Sequence, residues 1–202
     1  NGGYPAGDTC RAATIAWGAF TDRTPAIHNF HNFAIRPRWW ERWLENAIDR
    51  GVARESRYMV SVSAACARSM ARRPAIGLSD RIGFIHNGIG SLEGAAHDRG
   101  DELKKALGIP SEGRICLMLG TYEPRKGHAF ALDVFRRVLA AEPSAYLVIC
   151  GYGRGDEVSA VRRLVDAAGV SDNVRLEPFR DDIAALLRAA DVLWVSSQAF
   201  ES

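Results

Sequence analysis

The sequence holds no apolar run close to the ~20 residues that a helix needs to cross a bilayer, and Asn1-Gly-Gly-Tyr lacks the features of a signal peptide. A cytoplasmic location is expected, with the inner membrane surface as its one extension. Cysteine is also scarce. Cys10, Cys66, Cys116 and Cys150 are far apart, form no C-x-x-C and fall mostly in apolar or alanine-rich runs. That pattern excludes a disulfide framework and a zinc-binding set, and it predicts free, buried thiols in a reducing compartment. Neither charge sign dominates: 26 Lys and Arg face 24 Asp and Glu, a formal net charge of +2. A dedicated nucleic-acid binder carries a much larger positive excess, so no nucleic-acid partner is expected.

Several chemistries lack their motifs. No Asp-x-Asp occurs, so nothing points to a diphosphate held by metal. His28 and His31 lie three apart, but no Cys, Asp or Glu accompanies them, and no metal site is expected. There is no G-x-S-x-G elbow for acyl transfer. Lys126 precedes Gly127 instead of Ser or Thr, which excludes a Walker A loop. In Gly151-x-Gly153-x-Gly155 the third glycine comes one residue too soon for a dinucleotide fingerprint, and the motif follows the second strand of its unit instead of the first.

What is present is a repeated alternation of short apolar runs with helical patterns. Hydrophobic residues make up 47% of the chain, enough for sizeable cores. Strands are expected over Ala26–Phe30, Tyr58–Ser63 and Arg81–His86, then Arg114–Leu119, Ala145–Cys150, Asn173–Leu176 and Asp191–Ser196. Residues 12–20 fit a short helix or a strand. Helices are expected after most of the strands, so the class is α/β with parallel, doubly covered sheets. Glycines at 88, 90, 94, 100, 108 and 113 mark residues 91–112, with a short helix from Asp101 to Leu107, as a linker between a first domain, 1–90, and a second, 113–202.

A strong helix is expected from Pro37 to about Glu55, with Trp39, Trp40, Trp43, Leu44, Ala47, Ile48 and Val52 as an apolar face. Packing of that face on the sheet is the favoured reading. Arg36, Arg38 and Arg42 are interleaved with the tryptophans, which suits the alternative, a peripheral membrane or acceptor contact.

The stretch that organises the second domain is Arg114–Gly127. An apolar strand stops at Gly120, a polar basic loop follows, and Ala131, Leu132, Phe135, Val138 and Leu139 continue at helical spacing. A loop between a strand's carboxyl end and a helix's amino end has free N–H groups and a favourable dipole for an anion. Arg125 and Lys126 add charge there, so a phosphate-bearing ligand is expected.

Five segments together resemble the retaining glycosyltransferases of family 4, which have the GT-B fold of two Rossmann-like domains. They are Val60–Ser63, Ile85–Ile89, Gly120–Gly127, Val148–Gly153 and Ala190–Ser202, in the family's order and spacing. The resemblance implies metal-free transfer of a hexose from a nucleotide diphosphate sugar to a carbohydrate or lipid-linked acceptor. It implies no further cofactor. Lys126 matches the lysine that grips the donor diphosphate, with Gly120, Thr121 and Arg125 in the same loop. Glu201 matches the first of two glutamates spaced eight apart, which orients hydroxyls of the transferred sugar. His31 matches the histidine that faces that sugar, and His28 competes for the role. Arg180 is placed near the nucleoside. Where the family often has arginine after the first glycine, this chain has Thr121. The second glutamate would fall beyond Ser202, so the chain reads as a central slice of a longer enzyme with both domains incomplete, inactive by itself. The remaining alternatives are a non-catalytic nucleotide-sugar binder and a sugar-nucleotide epimerase on a similar scaffold.

Overall fold

Helical and strand periodicities alternate through the computed structural model, which describes residues 7–18, 20, 25–77, 80–88 and 99–198. The chain divides into two units, one within residues 1–89 and one within 90–199.

The first unit has a parallel three-stranded sheet, β1 (Ala26–Phe30), β2 (Ser56–Ser61) and β3 (Ile82–Phe84), in that spatial order. Helix α1 is Asp8–Trp17, which settles the helix-or-strand ambiguity there, and α2 is Arg42–Glu55. Helix α3 (Ala64–Ser69) follows β2 and runs on as a 3₁₀ turn, Met70–Arg72, before the short α4 (Pro74–Gly77). Phe30, Ala34, Met59, Cys66, Met70 and Ile76 form the core.

The tryptophan face does not pack on this sheet. Trp39, Trp40 and Trp43 are 79%, 52% and 74% exposed. Helix α2 buries Asp49 and Val52, with Glu45 on the same side at i, i+4 and i+7 spacing. Charge pairing explains the choice. Arg73 grips Asp49 through Nε and Nη2, at 2.8 and 3.0 Å, and also meets Glu45; Arg11 donates to Glu45 at 2.8 Å. Both Asp49 and Arg73 are buried, so each requires the other. The helix also starts later than Pro37, because Glu41 N–H closes a turn on Arg38 before the first helical residue, Arg42.

The second unit has four parallel strands in the order β6-β5-β4-β7, where β4 is Arg114–Leu119, β5 Ala145–Cys150, β6 Val174–Glu177 and β7 Val192–Trp194. Side chains alternate along β4 and both faces are covered. Cys116 and Met118 meet Leu132 and Phe135 of α6 (His128–Ala141) and Val161 and Val165 of α7 (Gly155–Ala168). Ile115 and Leu117 meet Leu186 and Ala189 of α8 (Ile183–Ala189) on the other face. Leu103 of α5 (Arg99–Ala106), Leu107 and Ile109 join that second core. From Arg99 on, the expected linker is therefore part of the second unit, since Leu103 and Leu107 are four apart and share one helix face. Cys66, Cys116 and Cys150 are buried, and neither they nor Cys10 form a disulfide.

Register brings the carboxyl ends together. Leu119 pairs with Cys150, Cys150 with Glu177, and Met118 with Trp194. All four exit loops thus leave the same rim.

Candidate functional site

At this rim the segment 120–127 joins β4 to α6 through a 3₁₀ turn, Pro124–Lys126. Gly127 makes the entry to α6 with φ +76°, and a Cβ there would stand 2.2 Å from the Ser196 carbonyl oxygen. Only glycine fits both the left-handed backbone and that approach. Helix α6 has no side-chain cap, so its amino-terminal N–H groups remain available to a ligand. The Lys126 stem lies along Gly120, where a Cβ would be 3.4 Å from Lys126 Cε.

Three neighbouring loops hold the segment in place. Gly120 N–H donates to Cys150 O at 3.1 Å and Tyr122 N–H to Tyr152 O at 3.0 Å. A Cβ on Gly151 would sit 1.7 Å from Gly120 O, so this glycine serves close loop packing, not a dinucleotide turn. Tyr122 is buried, and its hydroxyl lies 2.9 Å from Ile149 O and 2.8 Å from Glu177 O. Burial pushes its pKa up, so it stays a neutral donor. On the other side Ser196 Oγ donates to Lys126 O at 2.8 Å and Gln198 N–H to Arg125 O at 3.0 Å.

The charges of the segment are unequal. Arg125 Nε donates to Glu123 at 2.6 Å, and this bond holds the Glu123 carboxyl below its usual range. Glu123 thus offsets Arg125, and Lys126 supplies the net positive charge. Thr121 is half-buried at the strand exit and adds none. His128, at the start of α6, is buried and stacks on Tyr122 at 5.7 Å. Burial and then Lys126 lower its pKa, so the ring is neutral.

Beside the segment lies a cavity of about 430 Å³ over β5 and β6, lined by Tyr122, Tyr152, Glu177, Pro178 and Phe179. Arg180 does not line it. Its guanidinium forks onto Asp182 at 2.8 and 2.7 Å and reaches Glu177 at 3.4 Å, so three of its five N–H groups face carboxylates. The same fork explains why Asp182, at the N-cap of α8, makes no capping bond there.

In the first unit His31 follows β1, and the polypeptide after it is tied down by distant side chains. Cys66 Sγ donates to Asn32 O at 2.9 Å, Ala34 N–H to Ser69 Oγ at 2.8 Å, and Arg72 Nη1 to Ala34 O at 3.1 Å. His28 instead turns into the core, 2.7 Å from Thr14 Oγ1 and against Phe30. Burial above all lowers its pKa to about 4. That is a neutral structural histidine. Glu201 lies outside the described residues. Among the described residues no three His, Cys, Asp or Glu side chains gather as a metal site.

The structure brings Gly120, Thr121, Arg125 and Lys126, the loop residues singled out from sequence, beside the Ser196 edge, and adds Tyr122 and His128, which sequence reasoning did not single out. An aromatic in a polar loop has no periodicity to mark it, and a histidine at a helix start reads as a surface residue.

Two Rossmann-like units, each a parallel α/β sheet, and a cationic strand-to-helix loop on the rim of the second make this a GT-B protein. The sequence profile of the glycosyl transferases group 1 matches residues 100–202, and the chain belongs to that family. A phosphatidyl-myo-inositol mannosyltransferase of Mycobacterium tuberculosis is 34% identical over 98 residues, 47% of this chain and 25% of that protein. A D-inositol 3-phosphate glycosyltransferase of Mycolicibacterium gilvum is 31% identical over 122 residues, 58% and 26% of the two chains. Among solved structures, Anabaena Alr3699/HepE in complex with UDP superposes with a TM-score of 0.77 at 19% identity, over 94% of this chain and 52% of that one. The chain therefore spans about a quarter of these curated relatives and about half of this solved chain. Among the described residues no helix is long and apolar enough to cross a membrane.

Proposed function

We propose that the enzyme to which this chain belongs transfers a hexose from a nucleotide diphosphate sugar to a carbohydrate or lipid-linked acceptor, with retention of configuration and without a metal. The observation that carries this reading is the braced segment 120–127, with Lys126 laid along Gly120 at the amino end of α6. As the bond to the sugar breaks, negative charge builds on the departing diphosphate. An ammonium group and uncapped helix N–H groups, held in place beforehand, stabilise that charge more in the transition state than in the ground state. The nucleoside would occupy the adjacent cavity, where Tyr152 and Phe179 expose aromatic faces for the base.

By family resemblance His31 faces the donor sugar and Glu201 orients its hydroxyls. The exposed Trp39, Trp40 and Trp43, with Arg38 over the Trp40 ring, support a peripheral membrane contact for a lipid-linked acceptor.

Calorimetric titration of the chain with UDP and GDP tests the diphosphate site. Lys126→Ala should weaken binding of the preferred nucleotide by about 30-fold, the loss of one charge-assisted contact, with an unchanged melting temperature. Equal affinity in the variant would remove Lys126 from the site. In the longer enzyme, turnover that survives a chelator and a product with the donor's anomeric configuration are the expected outcomes; a metal requirement or inversion would overturn those two elements.

A further inference from the structure

Three arginines of the first unit converge on one cavity that no carboxylate lines. Arg11, Arg73, Arg114, Arg125, Arg154 and Arg180 each meet a carboxylate. Arg36, Arg42 and Arg72 instead line a single cavity of about 340 Å³ in the first unit, together with Trp39, Asn46 and Pro74. No carboxylate lines it. Arg36 and Arg42 have no hydrogen-bond or ion-pair partner among the described residues, and Arg72 uses one Nη on the Ala34 carbonyl.

Three separate pieces of chain bring these guanidiniums together: the polypeptide after β1, the first turn of α2 and the 3₁₀ turn after α3. Like charges that converge without a counter-charge destabilise the fold, and an anion between them reverses the sign. Guanidinium forks match the oxygens of a phosphate in a bidentate way. The amino end of α2, a 14-residue helix, opens on the same cavity and favours the same charge. The Trp39 indole and Pro74 supply an apolar wall that a bare anion does not use. The volume is at the lower end of the ~300–1,000 Å³ of small-ligand sites, so it admits a phosphorylated ring as well as the phosphate.

We propose that this cavity binds a phosphate ester, the phosphate of a phosphorylated polyol acceptor or of an anionic lipid headgroup. Assignment to the acceptor rests on the transfer reading above; the binding itself does not.

The test is calorimetric titration of the chain with glycerol 3-phosphate, and in parallel sedimentation with vesicles of phosphatidylglycerol or of phosphatidylcholine, all without nucleotide. Saturable binding is expected, with Arg36→Ala and Arg42→Ala each weakening it about tenfold, and Trp39→Phe removing the accompanying change in fluorescence. Arg50→Ala, which removes an exposed charge of α2 that does not line the cavity, should bind normally. Arg42→Lys, which keeps the charge and loses the fork, should fall between wild type and Arg42→Ala. Binding of glycerol 3-phosphate identifies a soluble phosphate ester as sufficient; binding to phosphatidylglycerol vesicles alone identifies the lipid headgroup. Absence of both overturns the proposal, as does equal weakening by Arg50→Ala, which would mean diffuse attraction. Circular dichroism of each variant checks folding. Lys126→Ala should bind the phosphate ester as wild type does, so failure of the donor site and failure of this one are separable.

Discussion

Two of the strand-to-helix connections of this protein, 31–41 after β1 and 120–127 after β4, leave parallel strands in the same way and are held by opposite means. The first is tied by side chains that arrive from 34 to 38 residues away: Cys66, Ser69, Arg72 and Arg73 reach the backbone of Asn32, Ala34 and Ile35. The second is fixed mainly by backbone contacts between adjacent loops, which need glycine at 127 and 151 and one tyrosine hydroxyl. The difference teaches that a loop can be rigid either because its neighbours reach into it or because nothing but backbone fits beside it. Only the second kind leaves a strong local trace in sequence.

Substitutions can break this contrast. The largest effect is expected from Gly151→Ala, because the added methyl meets the rigid Gly120 carbonyl. The second unit should lose about 4 kcal/mol in chemical denaturation, and diphosphate binding should fall with it; a loss well under 1 kcal/mol would show that the loops can separate. Next comes Asp49→Ala, which leaves the Arg73 charge buried and alone. It should destabilise the first unit by about 3 kcal/mol and speed amide exchange at Ala34, whose N–H meets Ser69. The second unit's exchange should be unaffected, and a uniform change through both units would end the comparison. Tyr122→Phe should cost least, about 1–2 kcal/mol, and should speed exchange of the Gly120 and Gly151 N–H groups, which donate to Cys150 and Glu177 carbonyls. Unchanged protection there would remove the tyrosine from the brace.

The sequence made the architecture largely legible because buried parallel strands are continuous apolar runs, and Ile115–Leu119 and Leu147–Cys150 stand out as such. Segment 120–127 was legible for a related reason: an apolar run that stops at glycine and restarts at helical spacing beyond another glycine leaves few options. The tryptophan helix was misread because apolar residues normally decide which face is buried. Here Asp49 and Arg73 decide it, and a pair separated by 24 residues has no periodic signature. The pairing of Arg180 was hidden for a similar reason: an arginine near a rim suggests a ligand, and nothing periodic announces that Asp182 and Glu177 hold it. The short helix expected over Asp101–Leu107 forms as α5, and its Leu103, with Leu107 after it, joins the second core, a packing that a single amphipathic turn or two cannot announce in sequence.

Tyr122 links the exits of β4, β5 and β6 through a single hydroxyl shared by two carbonyls and its own N–H bond to Tyr152. A rim assembled in this way has no slow step to complete when a nucleotide arrives. Association of a nucleoside diphosphate with the second unit should therefore be single-exponential in stopped flow, with an observed rate that rises linearly with concentration and shows no plateau.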